Sequence, residues 1–155
     1  MTINLTDKEL GYIAGMIDGD GCIGVVKHKT KEYNGTRYIP RCFITNTNME
    51  VLMYIKQKLG GEGNICSRTK GGNRKRVHDL VFRSNFLREF LPKILPEFRI
   101  KKRQAEIVIE LLSLVEGKVC HSYKLSDYDR MEQLYMESRK LNRKGIFNFD
   151  KEANK

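Results

Sequence analysis

The feature that most restricts this chain is its first amphipathic segment, where Gly11, Gly15 and Gly19 recur at every fourth position and lead into Asp18-Gly19-Asp20-Gly21. Thr6 followed by Glu9 suits a reciprocal capping box, so a helix is predicted from Asp7 to about Asp18. Each interior glycine costs such a helix about 1 kcal/mol relative to alanine. The stripe also removes side-chain bulk from one face and lets another helix approach backbone to backbone. That partner is either the chain's own core or the same helix of a second copy across a two-fold axis, which would bring Asp20 near its symmetry mate. Asp18 and Asp20 stand at the negative end of the helix macrodipole, so something positive should sit beside them. Carboxylates clustered from two copies would demand a divalent cation, and hard oxygen ligands favour Mg²⁺.

After Gly21 the hydrophobic period changes from helical to alternating. Ile23 and Val25 begin a strand that runs to a polar tip between Lys27 and Gly35, and Arg37 to Thr45 reads as the returning strand. Apolar residues at 49, 52, 55 and 59, an Asn48 cap and a Gly60-Gly61 stop predict a helix over 49–59. A second hairpin follows, with strands from Asn64 to Lys70 and from Arg76 to Arg83 joined by Gly71-Gly72-Asn73. A short helix is expected from Asn85 to Leu91, stopped by Pro92, and Pro96-Glu97 should open a longer one reaching about Val115. Ser126 to Asp129 resembles another helix start, ahead of a helix through Leu141. The order is α-β-β-α-β-β followed by helices, an α+β fold with an antiparallel sheet. Residues 1–142 are expected to form one domain and 143–155 a polar tail.

The chain has 155 residues with 29 Lys+Arg against 19 Asp+Glu, a net charge of +10 that selects polyanionic partners. Its apolar stretches are too short to span a bilayer, and its start has no secretory or transit pattern, which predicts no membrane role. The four cysteines stand singly, as reduced thiols would. A prokaryotic, nucleoid-associated cytoplasmic location is expected, or an organellar matrix or stroma if the gene is organellar. No small-molecule substrate is indicated. A second conflict mirrors the first: Arg99, Lys101, Lys102 and Arg103 crowd a helix N-terminus, where cations are disfavoured and a bound phosphate would be welcome.

If Ile23, Val25, Ile44 and Ile65 face the core, the alternation puts Gly24, Val26, His28, Thr30, Arg37, Arg41, Arg68 and Lys70 on the opposite, polar and positive face. Arg74 and Arg76 surround the second hairpin tip. Asp79 points outward if Leu80 and Phe82 point in; it can accept from a cytosine amino group or simply pair with a neighbouring arginine. A strand rises about 3.3 Å per residue, close to the step of B-DNA, and two-stranded ribbons fit the major groove. A two-fold pair of such arms would cover on the order of 20 base pairs. Double-stranded DNA therefore suits this face better than RNA, which would call for exposed stacking aromatics.

Leu10-Gly-Tyr-Ile-Ala-Gly-Met-Ile-Asp-Gly-Asp-Gly21 resembles the signature of the LAGLIDADG homing endonucleases, with Ile13 to Gly21 matching almost position for position. The first hairpin, the Ile44-Thr45-Asn46 strand end, the Leu59-Gly60 helix stop and the Arg99 to Ala105 segment follow in the family's order through about residue 116. A single signature resembles the homodimeric type. The Gly11-Tyr12-Ile13 string is not a GIY motif of another nuclease family, because its YIG partner is missing.

The resemblance implies an αββαββα fold with a four-stranded antiparallel saddle-shaped sheet plus C-terminal helices. It further implies a homodimer meeting at Gly11, Tyr12, Gly15, Asp18 and Gly19. Asp20 would be the metal-binding acid with the Gly19 carbonyl beside it, Asn46 would contact water near the metals, and Lys101 would support the hydrolytic water or the phosphoryl charge. The implied activity is Mg²⁺-dependent double-strand cleavage of a long, near-palindromic DNA site in intron or intein homing. Mn²⁺ is the alternative ion, and Ca²⁺ is expected to bind without supporting cleavage. The competing expectation is a member that binds without cutting, as a DNA regulator or an RNA splicing maturase.

Overall fold

The capping box forms as predicted. Thr6 Oγ1 accepts from the backbone N–H of Glu9, the Glu9 carboxylate accepts from the backbone N–H of Thr6, and together they open α1 (Asp7–Asp20). In this computed structural model, residues 4–31, 35–69, 71–118 and 122–143 are described. The helix runs two residues past its expected end because the Gly21 N–H still bonds the Ile17 carbonyl, and the chain then passes straight into β1 (Gly21–Lys29). A Cβ at Gly21 would sit 2.7 Å from the Ile17 carbonyl oxygen and 2.9 Å from that of Phe43, so only glycine permits this corner.

The chain continues through β2 (Thr36–Asn46), α2 (Met49–Lys58), β3 (Asn64–Arg68), β4 (Val77–Val81), α3 (Ser84–Ile94), α4 (Lys102–Val115) and α5 (Leu125–Leu141). The four strands form one antiparallel sheet in the order β1-β2-β4-β3. Its inner face buries Ile23, Val25, Cys42, Ile44 and Leu80 against Ile13 and Ile17 of α1, Leu52 and Ile55 of α2, Leu87 and Phe90 of α3, and Ile107 and Leu111 of α4. Each fully buried aliphatic side chain of this kind contributes about 1.5–3 kcal/mol. The α+β class, the element order and the inward set follow the sequence reading.

Two boundaries differ for physical reasons. Pro92 lies inside α3 rather than ending it, because the buried stripe of Leu87, Phe90, Leu91 and Ile94 outweighs the lost backbone bond. The long helix expected from Pro96 instead begins at Lys102. Leu95–Glu97 is a single 3₁₀ turn, Phe98 plugs into the core, and the backbone amides of residues 99–101 bond a side chain elsewhere. The second hairpin's strands are also shorter than expected, leaving Arg74 and Arg76 exposed in the loop before β4. Lys70 and residues 144–155 of the expected tail lie outside the described residues.

Candidate catalytic and nucleic-acid-binding site

The amides of residues 99–101 explain both electrostatic conflicts. Asp18, at the end of α1, accepts from the backbone N–H groups of Arg99 (2.8 Å), Ile100 (3.2 Å) and Lys101 (2.9 Å). Its carboxylate supplies the negative charge wanted at the start of α4, and those amides supply the positive charge wanted at the end of α1. The Lys101 ammonium adds to this by donating to the Asp18 backbone carbonyl. The phosphate expected at the start of α4 is thus replaced by the chain's own carboxylate. Asp18, only 9% exposed, spends its carboxylate within its own chain, as a structural acid at the helix end.

Asp20 is the opposite case. It is exposed, and its Oδ2 accepts from the Asn46 side-chain amide at 3.1 Å. Asn46 is itself oriented, since its Oδ1 accepts from the Asn48 N–H at 2.8 Å and so turns the NH₂ group toward Asp20. Asn46 ends β2 and Asp20 ends α1, so the sheet and the helix meet at this pair. Lys101 reaches the same helix end. Beside them, Gly19 and Gly15 are exposed, and a Cβ on either would meet no atom within 4 Å; one on Gly11 would meet only a Glu97 carboxylate oxygen at 3.8 Å. The glycine stripe is therefore not covered by the chain's own core. Tyr12, 43% exposed on the same helix, sets its ring edge-on to that of Tyr54.

The outer face of the sheet carries Cys22, Val26 and His28 of β1, Arg37, Ile39, Arg41, Phe43 and Thr45 of β2, Val77, Asp79 and Val81 of β4, and Arg68 of β3, none of them buried. The outward placement of Val26, His28, Arg37, Arg41, Arg68 and Asp79 agrees with the sequence parity. The face is less uniformly polar than expected, because Val26 is paired with Ile39 and Phe43 with Val81. The Arg41 guanidinium lies 4.6 Å over the Phe43 ring. Thr30 falls just beyond β1, where its N–H bonds the Gly35 carbonyl at the hairpin tip.

Gly24 departs from expectation: it is buried, and a Cβ there would lie 2.7 Å from both Ser138 Oγ and Asn142 Nδ2. These side chains cap the free edge of β1, Ser138 accepting from the Val25 N–H (2.9 Å) and Asn142 donating to the Ile23 carbonyl (2.8 Å). Further along, Glu132 of α5 accepts from Lys27 Nζ at 2.7 Å and from the Tyr38 hydroxyl, and Lys27 lies over the Tyr38 and Tyr135 rings. Burial and then this carboxylate push the Tyr38 phenol well up, while the bonds from Lys27 and Tyr38 hold Glu132 below the usual carboxylate range. The sequence reading missed this attachment of α5. The parity of Lys27, on the same side as Ile23 and Val25, was the available signal, since a lysine there needs a carboxylate partner.

Asp79 is engaged by Arg68 and Thr45. Burial alone would raise its carboxyl, but the hydrogen bonds from Arg68 and Thr45 hold it below the usual range. Of the two roles open to it in the sequence, the arginine pair is the one formed. Burial pushes the Cys42 thiol far up, which makes it an inert core group.

An exposed carboxylate at a helix end, above an open antiparallel sheet with arginines on its bare side, defines the αββαββα homing-endonuclease fold. The chain belongs to the LAGLIDADG endonuclease family, whose pattern matches residues 13–101. Among solved structures, the archaeal intron-encoded homing endonuclease I-Vdi141I, complexed with DNA, is 31% identical over 95% of this chain and 92% of its own, with a TM-score of 0.73. The homing endonuclease I-CvuI, in complex with its target in the presence of Ca, is 20% identical over 90% of this chain and 85% of its own, with a TM-score of 0.70. I-SmaMI bound to cleaved DNA is 18% identical, and 97% of this chain covers only 48% of it, with a TM-score of 0.65. No curated protein sequence matches the chain.

Proposed function

We propose that two copies of this chain meet along the open glycine face of α1 and cut double-stranded DNA at a specific site, hydrolysing one phosphodiester in each strand with a divalent cation. The division of labour between two aspartates carries this reading. Asp18 is used up by the amides of residues 99–101, whereas Asp20 stays exposed, oriented by Asn46, at the end of an uncovered glycine face. The half-length match to I-SmaMI supports a pair, because two such chains make up its length.

The donor set fits Mg²⁺ as half of a site. Asp20 and the Gly19 carbonyl offer hard oxygens, and the described residues of one chain hold no group of three His, Cys, Asp or Glu able to bind a metal. When bound, the cation supplies Lewis-acid stabilisation of phosphoryl oxygens and a more acidic water. Mn²⁺ serves the same oxygen ligands, and Ca²⁺ binds them without supporting cleavage. Asn46 fixes the Asp20 carboxylate through its directed amide. Lys101, tethered to the backbone of Asp18, places a positive charge at the same helix end, where it offsets the negative charge that grows in the transition state. Arg37, Arg41 and Arg68 hold the duplex on the outer face, and the Val26–Ile39 pair offers an apolar surface to thymine methyl groups. The DNA complexes of I-Vdi141I and I-CvuI support duplex DNA as the partner, and the intron-encoded origin of the former supports a role in homing.

Purified protein with Mg²⁺ should cut its target, while Asp20→Asn should bind the same DNA and leave it intact. Cleavage by Asp20→Asn at the wild-type rate would remove the assigned acid. A wild-type protein that binds but nicks nothing with any divalent cation would instead be a non-cleaving regulator.

A further inference from the structure

Across the middle of the outer sheet face, Thr45 of β2, Asp79 of β4 and Cys66 of β3 are direct cross-strand neighbours. Arg68, two residues along β3 from Cys66 and on the same face, lies against Asp79. Its Nε donates to Oδ2 at 2.8 Å and its Nη2 to Oδ1 at 3.1 Å. Thr45 Oγ1 donates to the same Oδ1 at 2.5 Å, so the carboxylate is held from two sides before it holds the arginine. The Asp79 side chain is 15% exposed and that of Arg68 50%.

This contact uses one side of the guanidinium. Arg68 has five N–H groups; the ion pair consumes the Nε side and leaves the far edge, with its two parallel N–H vectors on Nη1 and Nη2, bonded to nothing among the described residues. That free edge matches a pair of adjacent acceptors in one plane, which in the major groove of B-DNA is the O6 and N7 of guanine. A phosphate suits it less, because Asp79 cancels much of the charge that would attract an anion, whereas neutral base acceptors feel no such loss. Arg41, stacked on Phe43, has no carboxylate hydrogen-bonded to it among the described residues; Asp79 acts on it only through space, so it is the better phosphate contact.

We propose that Asp79 is a positioning residue that sets Arg68 to read one guanine in each half of the DNA target. The inference rests on the site-specific DNA reading above. Enrichment of a randomised duplex library by the wild-type protein in EDTA tests it through binding alone. Wild type should select guanine at one symmetric pair of positions. Arg68→Lys and Asp79→Ala should each lose roughly 10-fold of that preference at the same pair, leaving other positions unchanged. Asp79→Glu, which can rebuild the fork, should recover part of the loss. Thermal melting checks that the variants fold, and Arg68→Ala carries the same prediction if Asp79→Ala does not. A loss spread evenly over all positions, or losses at different pairs in the Arg68 and Asp79 variants, overturns the inference while leaving the endonuclease reading intact. A wild-type protein that enriches no sequence overturns both.

Discussion

Asp18 and Asp20, with the same side chain two residues apart, do unrelated work. Asp18 gathers three backbone N–H groups from the start of α4, so Asp18→Ala leaves three part-buried donors without their acceptor. That change should cost about 2–4 kcal/mol, read as a shift in the urea midpoint. Asp20→Asn touches only the exposed bond to Asn46 and should leave the midpoint where it was, so the two substitutions separate stability from cleavage. The sequence showed that both carboxylates sat against a helix dipole and that four cations crowded another. It could not show that one conflict answers the other, because Asp18 and Arg99, 81 positions apart in the chain, are brought together only by the tertiary fold. Asp79 was likewise legible as outward-facing, while its bond to Arg68 depended on strand register. At Gly24, alanine would drive a methyl group into Ser138 and Asn142 and disturb both bonds at the β1 edge. A loss of about 1–3 kcal/mol is expected, with faster hydrogen exchange at the Val25 amide.

Among the elements, α5 is the one the sequence described least. Its position as a helix was readable, but its purpose lay in contacts spanning over ninety residues, such as Tyr38 to Glu132 and Val25 to Ser138. These side chains substitute for a missing strand along β1, which blunts an edge that would otherwise pair with other chains. The Glu132 bond also makes the attachment sensitive to acid. Because the folded state holds this carboxyl below its ordinary value, the contribution is fully present above about pH 5 and is lost as pH falls through the lowered value. Hydrogen exchange in the first hairpin should therefore rise below about pH 4, and Glu132→Gln should remove that pH dependence. Helix and strand boundaries failed where burial overrode a local signal, as at Pro92, or where a distant side chain claimed the amides, as at residues 99–101.

For the whole molecule, the uncovered helix face is the decisive surface. Gly15 faces no atom of its own chain, so Gly15→Leu should leave the subunit's fold intact and gain up to about 1 kcal/mol in helix propensity. On the proposed pairing, that variant should sediment as a monomer at concentrations where wild type sediments as two copies, and the proposed cleavage should fall with it. A dimer that survives Gly15→Leu would place the interface on another face. The bond between Asp18 and the amides of residues 99–101 has a consequence for how such a protein can be recombined. One residue inserted between Asp18 and Asp20 would turn Asp20 by about 100° around the helix axis, so the bolt at Asp18 also sets the bearing of its neighbour. A hybrid built from two relatives must therefore keep the Asp18 carboxylate against the amides that precede α4, and must take the first hairpin and α5 together, because Ser138, Asn142 and Glu132 hold that hairpin.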